Sequence, residues 1–456
     1  MRKCDRAAIL AGTPETELIF RAASALSESA LRLSEGLPVL FFCGKGNNGA
    51  DGKKAAELLA SRGADARAIE AFVPLPALPE AYLAVDCVFG TGFHGRVPEA
   101  LKSVFSAISR GKKVLACDIP SGLNADNGIA DPMTVPAHAT VTFAACKYGQ
   151  LLKSGKDFCG ELTLADIGIP VVTEYAERVD GRSVATLFPP RKNDCHKGSF
   201  EKVYLIGGSA EFRGAPVLSA RAEAALRSGC GYATLVCPKN TGGFLCPEHT
   251  YRFCGEDHLS FDESVLREAA GADVAVLGMG MGQSEACAEI ERYLIANARR
   301  LVVDADGLNL LAKHPEWREL PRKGELFLTP HPAEFARLCG TDTREVLENP
   351  VALADEFARE TGTNLLLKGT SSYITDGTRR YVNATGSPAL AKAGSGDALN
   401  GFLAVPVARG GLFGLAAGSF LHGACAILAA QEGSVHAVLA SDLPAFLPRV
   451  LHGIGV

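Results

Sequence analysis

Val39-Leu40-Phe41-Phe42-Cys43, running straight into Gly44-Lys45-Gly46-Asn47-Asn48-Gly49-Ala50-Asp51-Gly52, decides how this chain is read. Five apolar residues bounded by glycine predict a buried strand, the polar stretch predicts a loop, and Lys53–Ser61 predicts a helix. A continuous apolar strand feeding a helix belongs to a parallel sheet covered on both faces. Three similar units follow. Tyr82–Phe89 ends at Gly90-Thr91-Gly92, Lys113–Cys117 at Asp118-Ile119-Pro120-Ser121-Gly122, and Ala139–Ala145 at Cys146-Lys147. Ligands in such sheets bind beyond the carboxyl ends of the strands, where each of these polar strings falls.

The pattern weakens after Ile169-Pro170 and passes through Phe188-Pro189-Pro190-Arg191-Lys192, a linker-like stretch, before the alternation restarts. Lys202–Gly207, Tyr232–Cys237, Asp273–Gly278, Leu301–Asp304, Leu326–Thr329 and Asn364–Lys368 read as strands. Gly214–Ser228, Glu285–Ala298 and Gly396–Ala408 read as helices. A chain of 456 residues is too long for one ordinary domain. The expected division is 1–180 and 181–456, both α/β.

Bulk composition narrows the function. Residues 1–178 carry 19 basic and 20 acidic side chains and the remainder 27 and 31, so neither half offers a nucleic-acid surface. Fourteen cysteines without a CxxC pair predict reduced thiols in a cytoplasmic protein. The N-terminus lacks the pattern of a signal peptide. The apolar stretch Leu412–Ala430 is expected to be a buried helix rather than a membrane span.

In the first half, exposed backbone N–H groups around Gly44–Gly52 favour phosphate, and Asn47, Asn48 and Asp51 can bind hydroxyls or a cation. Gly90-Thr91-Gly92-Phe93-His94-Gly95-Arg96 supplies a second loop ending in a guanidinium. Oxygens of Asn48, Asp86 and Ser121 suit a hard monovalent cation better than zinc. A tight strand-to-helix turn, and a turn role for Asp86, are the structural alternatives.

In the second half, Gly394-Ser395-Gly396-Asp397 resembles the anion-hole motif of ribokinase-like folds. Its glycine N–H groups face a transferring phosphoryl group and Asp397 activates an acceptor hydroxyl; a helix cap is the alternative for Asp397. Lys368-Gly369-Thr370-Ser371-Ser372 offers a cation and hydroxyls after a strand, and His331 stands at another strand end. In Asp304-Ala305-Asp306 one acid could hold magnesium through water, with capping the equal alternative for Asp306.

Taken together, these strings resemble the NAD(P)H-hydrate repair family: a Rossmann-like αβα epimerase domain fused to a ribokinase-like dehydratase domain. The first half matches through Gly46-Asn47-Asn48-Gly49, Asp86 with Gly90-Thr91-Gly92, Asp118-Ile119-Pro120-Ser121-Gly122 and Thr140–Phe143 with Lys147. The second matches in family order from His196-Lys197-Gly198 through Gly278–Gly282, Thr329–Glu334 and Lys368–Thr370 to Gly394–Asp397. The resemblance implies epimerisation of the R and S hydrates of NADH and NADPH, then dehydration of the S form at the expense of ADP, giving AMP and phosphate.

It implies hydrate contacts at Asn47–Asp51, Gly90–Arg96 and Asp118 in the first domain, with Asp118 moving a proton and potassium held by Asn48, Asp86 and Ser121. In the second it implies hydrate contacts at Ala215, Gly282, His331 and the catalytic Asp397. Nucleotide contacts fall at Lys368–Ser372 and Gly396, with Mg2+ accompanying ADP. Two departures, Ala50 where the family has glycine and Arg21 where a glutamate is common, predict a weakened epimerase. A homo-oligomer acting on small molecules is expected, without nucleic acid or membrane. The alternative is a small-alcohol kinase with a silent N-terminal binding domain.

Overall fold

The computed structural model describes residues 2–172, 175–221, 224–244 and 247–456. The chain forms two compact units, Met1–Tyr175 and Ala176–Val456. Residues 176–180 thus lie with the second unit, where Glu177–Arg178 pairs with a strand of its sheet.

In the first unit β1 (Val39–Cys43), β2 (Ala66–Glu70), β3 (Leu83–Cys87), β4 (Lys113–Cys117), β5 (Ala139–Phe143) and β6 (Glu161–Ala165) form one parallel sheet. Its order is β2-β1-β3-β4-β5-β6. Alternate strand residues face opposite cores, as the two-residue period of a strand requires. Val39, Phe41 and Cys43 pack with the helices Glu15–Ser34 and Asn47–Ser61, whereas Leu40 and Phe42 pack with the helix Lys102–Arg110. The result is an αβα sandwich.

The expected loop Gly44–Gly52 is mostly helix. The turn is confined to Gly44–Gly46, and the helix begins at Asn47. A Cβ at Gly49 would lie 2.0 Å from the Gly44 carbonyl oxygen, so this glycine serves close packing of helix on strand end. Ala50 lies inside that helix, and its φ is not positive. The backbone cost expected of Ala50 is therefore absent.

The second unit carries a ten-stranded sheet in the order β10-β9-β8-β11-β12-β13-β14-β15-β16-β7. Its strands are β7 (Glu177–Arg178), β8 (Lys202–Ile206), β9 (Tyr232–Cys237), β10 (Thr250–Phe253), β11 (Val274–Leu277), β12 (Arg300–Val303), β13 (Glu325–Leu328), β14 (Asn364–Leu367), β15 (Ser372–Thr375) and β16 (Arg380–Asn383). All neighbours are parallel except the β14-β15 and β15-β16 pairs. The helix expected over 214–228 is seen as Gly214–Arg221 and Ala224–Arg227, with 222–223 outside the described residues.

Ser395–Glu432 is helical throughout except at Gly411, where φ is +56°. A Cβ at Gly414 would lie 1.9 Å from the Pro406 carbonyl oxygen, and one at Gly418 2.7 Å from that of Phe402. Phe402 and His422 meet edge to face at 5.3 Å. Contacts that converge in this way mean that the two halves run antiparallel, folded back at Gly411. Among the described residues this is the one helical segment apolar and long enough to cross a membrane, yet its most apolar window is 72% buried inside the protein.

Glu291, on the helix Glu285–Asn297, is fully buried with neither carboxyl oxygen hydrogen-bonded. Burial alone holds its carboxyl well above the usual range. Its proton is therefore kept in the folded state and lost by the unfolded chain once the pH passes the ordinary carboxylate value, so stability falls as pH rises. Glu291→Gln is expected to remove that dependence and raise stability at pH 7 by about 1–3 kcal/mol. A urea midpoint no higher than that of the parent protein would count against this.

Candidate active sites

The first unit opens into a cleft of about 660 Å³ at the carboxyl ends of β1, β3 and β4. Of the expected residues, Asn47, Asn48, Asp51, Gly90–His94, Arg96 and Asp118 line it. Gly49, Ala50 and Gly95 do not. Leu18, Ile19, Phe72, Phe143 and Ile167 supply apolar wall.

Asp118 closes β4 in a left-handed backbone, φ +63°. For a residue with a side chain this conformation is a local strain, of the kind found at functional sites. The carboxylate is held from three sides: the Lys147 ammonium, the Thr142 hydroxyl at 3.1 Å and the Phe143 N–H at 3.3 Å. Gln150 Nε2 donates to the Asp118 carbonyl at 2.7 Å. Lys147 also donates to Thr142 Oγ1 at 2.7 Å and to the Phe143 carbonyl at 3.1 Å, so its position is fixed.

Asn48, Asp86 and Ser121 are brought together as expected. Ser121 donates through its N–H to Asp86 Oδ2 at 2.7 Å and through its hydroxyl to Asp86 Oδ1 at 2.5 Å. Asn48 Nδ2 donates to the Phe89 carbonyl at 2.9 Å, and the Phe89 N–H donates to Ser121 Oγ at 2.8 Å. Asp86 is 1% exposed, and among the described residues no cationic side chain pairs with it. Burial raises its carboxyl while the Ser121 and Val88 hydrogen bonds oppose the rise.

Arg21, expected to mark a degraded helix, makes specific contacts. It bonds Glu17 at 2.9 Å and the Ile167 carbonyl at 3.2 Å, fastening the helix Glu15–Ser34 to a wall of the cleft.

In the second unit, Asp397 lies in the first turn of the helix that starts at Ser395. The Ser219 hydroxyl donates to the Asp397 carbonyl at 2.7 Å. Burial, then the neighbouring Asp304, push the Asp397 carboxyl up to about 6, against the pull of Lys368. Lys368 Nζ lies 2.7 Å from Asp304 Oδ1 and 3.9 Å from Glu334 Oε2. Asn400 Nδ2 donates to the other Asp304 oxygen at 3.1 Å. A Cβ at Gly396 would stand 3.9 Å from both Asp304 Oδ2 and Lys368 Nζ. The bare glycine, the Lys368 ammonium and the Asp304 carboxylate therefore converge beside Asp397.

Asp306 does not cap its helix, which has Ala305 as N-cap; its carboxylate takes the Gly282 N–H at 2.9 Å. That bond fixes the loop Gly278–Gly282, whose Gly280 abuts Ala215. His331 is the N-cap of the helix Pro332–Cys339, its Nδ1 accepting from Ala333 N at 3.2 Å and Glu334 N at 3.3 Å. Burial, then Lys368 and Arg337, lower its tendency to protonate. The Lys368–Ser372 segment runs from the end of β14 to the start of β15, the buried Ser371 hydroxyl having no hydrogen-bond partner. Lys147 and Asn400 were not expected as site residues, nor was Asp5, which lines the first cleft from the helix Arg2–Leu10.

A sequence profile for NAD(P)H-hydrate dehydratase matches residues 203–449, and one for the N-terminus of YjeF-related proteins matches 15–81 and 69–149. The bifunctional NAD(P)H-hydrate repair enzyme of Moorella thermoacetica is 36% identical, over 91% of this chain and 88% of its own. That of Coxiella burnetii is 33% identical, over 97% of this chain and 96% of its own. Among solved structures, the Bacillus subtilis ADP/ATP-dependent NAD(P)H-hydrate dehydratase crystallised with ATP and Mg2+ is 29% identical with a TM-score of 0.54. It covers 62% of this chain and 100% of that one. A ribokinase-like protein of Enterococcus faecalis, 22% identical over 62% of this chain and 98% of that one with a TM-score of 0.54, shares the fold. A lone small-alcohol kinase is not favoured, because it leaves the matched first unit without a role. With both halves matched in order, the chain belongs to the bifunctional NAD(P)H-hydrate repair enzymes, an epimerase domain followed by a dehydratase domain.

Proposed function

We propose that the Asp118 cleft interconverts the R and S hydrates of NADH and NADPH, and that the Asp397 site dehydrates the S form with ADP. The observation that carries the second assignment is that Lys368, from the end of β14, reaches the helix start that bears Gly396 and Asp397. Asp397 takes the proton of the hydrate's hydroxyl, and the oxygen attacks the terminal phosphorus of the nucleotide. Hydroxide is a poor leaving group and phosphate a good one, so the carbon–oxygen pair then leaves with phosphate, the neighbouring ring carbon gives a proton to solvent, and the reduced ring is restored. The Gly396 N–H at the helix start faces the charge on the moving phosphoryl group, whereas the Ser395 N–H is given to the Lys392 carbonyl at 3.3 Å.

Ala215, Gly282 and His331 are read as hydrate contacts, and Lys368–Ser372 with Gly396 as AMP contacts. Mg2+ would accompany the nucleotide, neutralising charge on its phosphates, with Asp304 and Asp306 the acids that act on the Asp397 carboxyl. Potassium fits beside Asp86. A buried carboxylate without a counter-ion, next to the Phe89 carbonyl and the Asn48 and Ser121 side chains, presents the oxygen donors that a hard monovalent cation takes. It would supply local positive charge on the cleft floor. A cytoplasmic setting agrees with the free thiols of the described cysteines, and a homo-oligomer remains the expected assembly.

Hydrated NADH is to be incubated with ADP while the reduced-ring absorbance is followed; a small-alcohol kinase gives no recovery. Pure R hydrate tests the first cleft, with spontaneous epimerisation subtracted and the assay run in K+ and in Na+. Asp118→Ala is expected to slow R-hydrate turnover by roughly 10²-fold or more, leaving S-hydrate turnover intact. Equal R-hydrate rates for parent and variant would make the first unit a silent binding module.

A further inference from the structure

Asp51 is a buried carboxyl that no contact accounts for. It sits in the second turn of the helix Asn47–Ser61, is 9% exposed, and lines the cleft. Among the described residues its carboxyl has no hydrogen-bond or ion-pair partner, whereas Asp118 is held by Lys147, Thr142 and the Phe143 N–H. A carboxyl this little exposed and without a partner costs stability. Close packing at Gly49 nevertheless fixes this helix turn against the strand ends, and so holds Asp51 at the cleft.

We propose that Asp51 is a second catalytic residue of the epimerase, the acid that works with Asp118 as base. This rests on the epimerase reading of the cleft and goes beyond a binding role for Asp51. The hydrate bears its hydroxyl on the ring carbon bonded to nitrogen, because water adds to an enamine with oxygen on that carbon. Asp51 gives its proton to the hydroxyl oxygen. The carbon–oxygen bond breaks, its electron pair leaving with water, and the nitrogen lone pair forms the C=N bond of a cyclic iminium. Water then adds to the opposite face, the C=N pair returns to nitrogen, and the surplus proton passes to Asp118. One water leaves and one enters, and the proton returns from Asp118 to Asp51 through solvent.

The surroundings of the two carboxyls differ as this scheme requires. Burial, then the like charges of Asp118 and Asp5, push the Asp51 carboxyl up to about 8, so it keeps its proton at neutral pH. Asp118 instead has the Lys147 ammonium against it. The buried Cys117 thiol feels both carboxyls, and Glu15, Lys45, His94 and Arg96 line the rest of the cleft.

The test uses the full chain, pure R hydrate and Asp51→Asn. Expected are a fall in kcat for epimerisation of roughly 10²–10⁴-fold and a KM within about threefold of the parent. The parent rate should fall as pH rises through about 8, where Asp51 loses its proton, and that alkaline limb should vanish in the variant. Asp51→Glu should recover at least about tenfold of the lost rate by restoring a proton donor. Asp51→Asn changing KM alone, an alkaline limb that persists in it, or loss of hydrate binding in both variants would each overturn the proposal. A parent protein that does not accelerate epimerisation above the spontaneous rate sinks the epimerase reading itself, an outcome distinct from these.

Discussion

Asp397→Asn is expected to lower the ADP-driven return of the reduced ring by roughly 10²–10⁴-fold. The amide fills the same space but cannot take a proton from the hydrate's hydroxyl. A pH signature should accompany the loss. The parent carboxyl, raised to about 6 chiefly by burial, is neutral and inactive as a base below that pH and ionised above it. Dehydration by the parent protein should therefore rise through about pH 6, and that acidic limb should be missing from whatever activity the variant retains. A correctly folded variant working at parental speed would remove Asp397 from the chemistry.

Gly414→Ala is expected to destabilise the second unit by about 3 kcal/mol or more. The added methyl meets the Pro406 carbonyl oxygen at 1.9 Å, an atom of backbone that cannot swing aside. The two helical halves must part, and the carboxyl ends of the neighbouring strands lose their cover. Alanine's better helix propensity returns only about 1 kcal/mol, so the steric cost wins. The expected readings are a lower urea midpoint and lost dehydration, with R/S interconversion retained by the first unit. An unchanged midpoint would show that the halves can separate freely.

The strands Val39–Cys43, Lys113–Cys117 and Tyr232–Cys237 were legible because each is an apolar run stopped by a glycine, a proline or a charged residue. They have the spans expected of them. The edges were not legible. Ala66–Glu70 exposes three of its five residues, and β7 is only two residues long, so neither carries an apolar signature. Glycine in Gly44–Gly52 reads as flexibility, yet two of its glycines lie within a helix, Gly49 for packing. The break between the two helical halves was legible as Arg409-Gly410-Gly411, but their antiparallel pairing was not. Asp118, Asp86 and Ser121 stand out as polar residues at or just past strand ends, and Asn48 and Asp397 in the first turns of helices. Lys147 and Asp5 reach the Asp118 cleft from segments whose approach only the tertiary structure sets.

The returning half of the Ser395–Glu432 segment has a consequence for assembly. All the strands of the large sheet, and every residue read as touching the nucleotide, precede residue 398. During synthesis these emerge first, yet the helix bearing the acid can lean only on the sheet and on Gly214–Arg221, its other side uncovered, until Leu412–Glu432 doubles back over it. A nascent chain stopped in that interval would own the complete set of reacting groups and no working pocket.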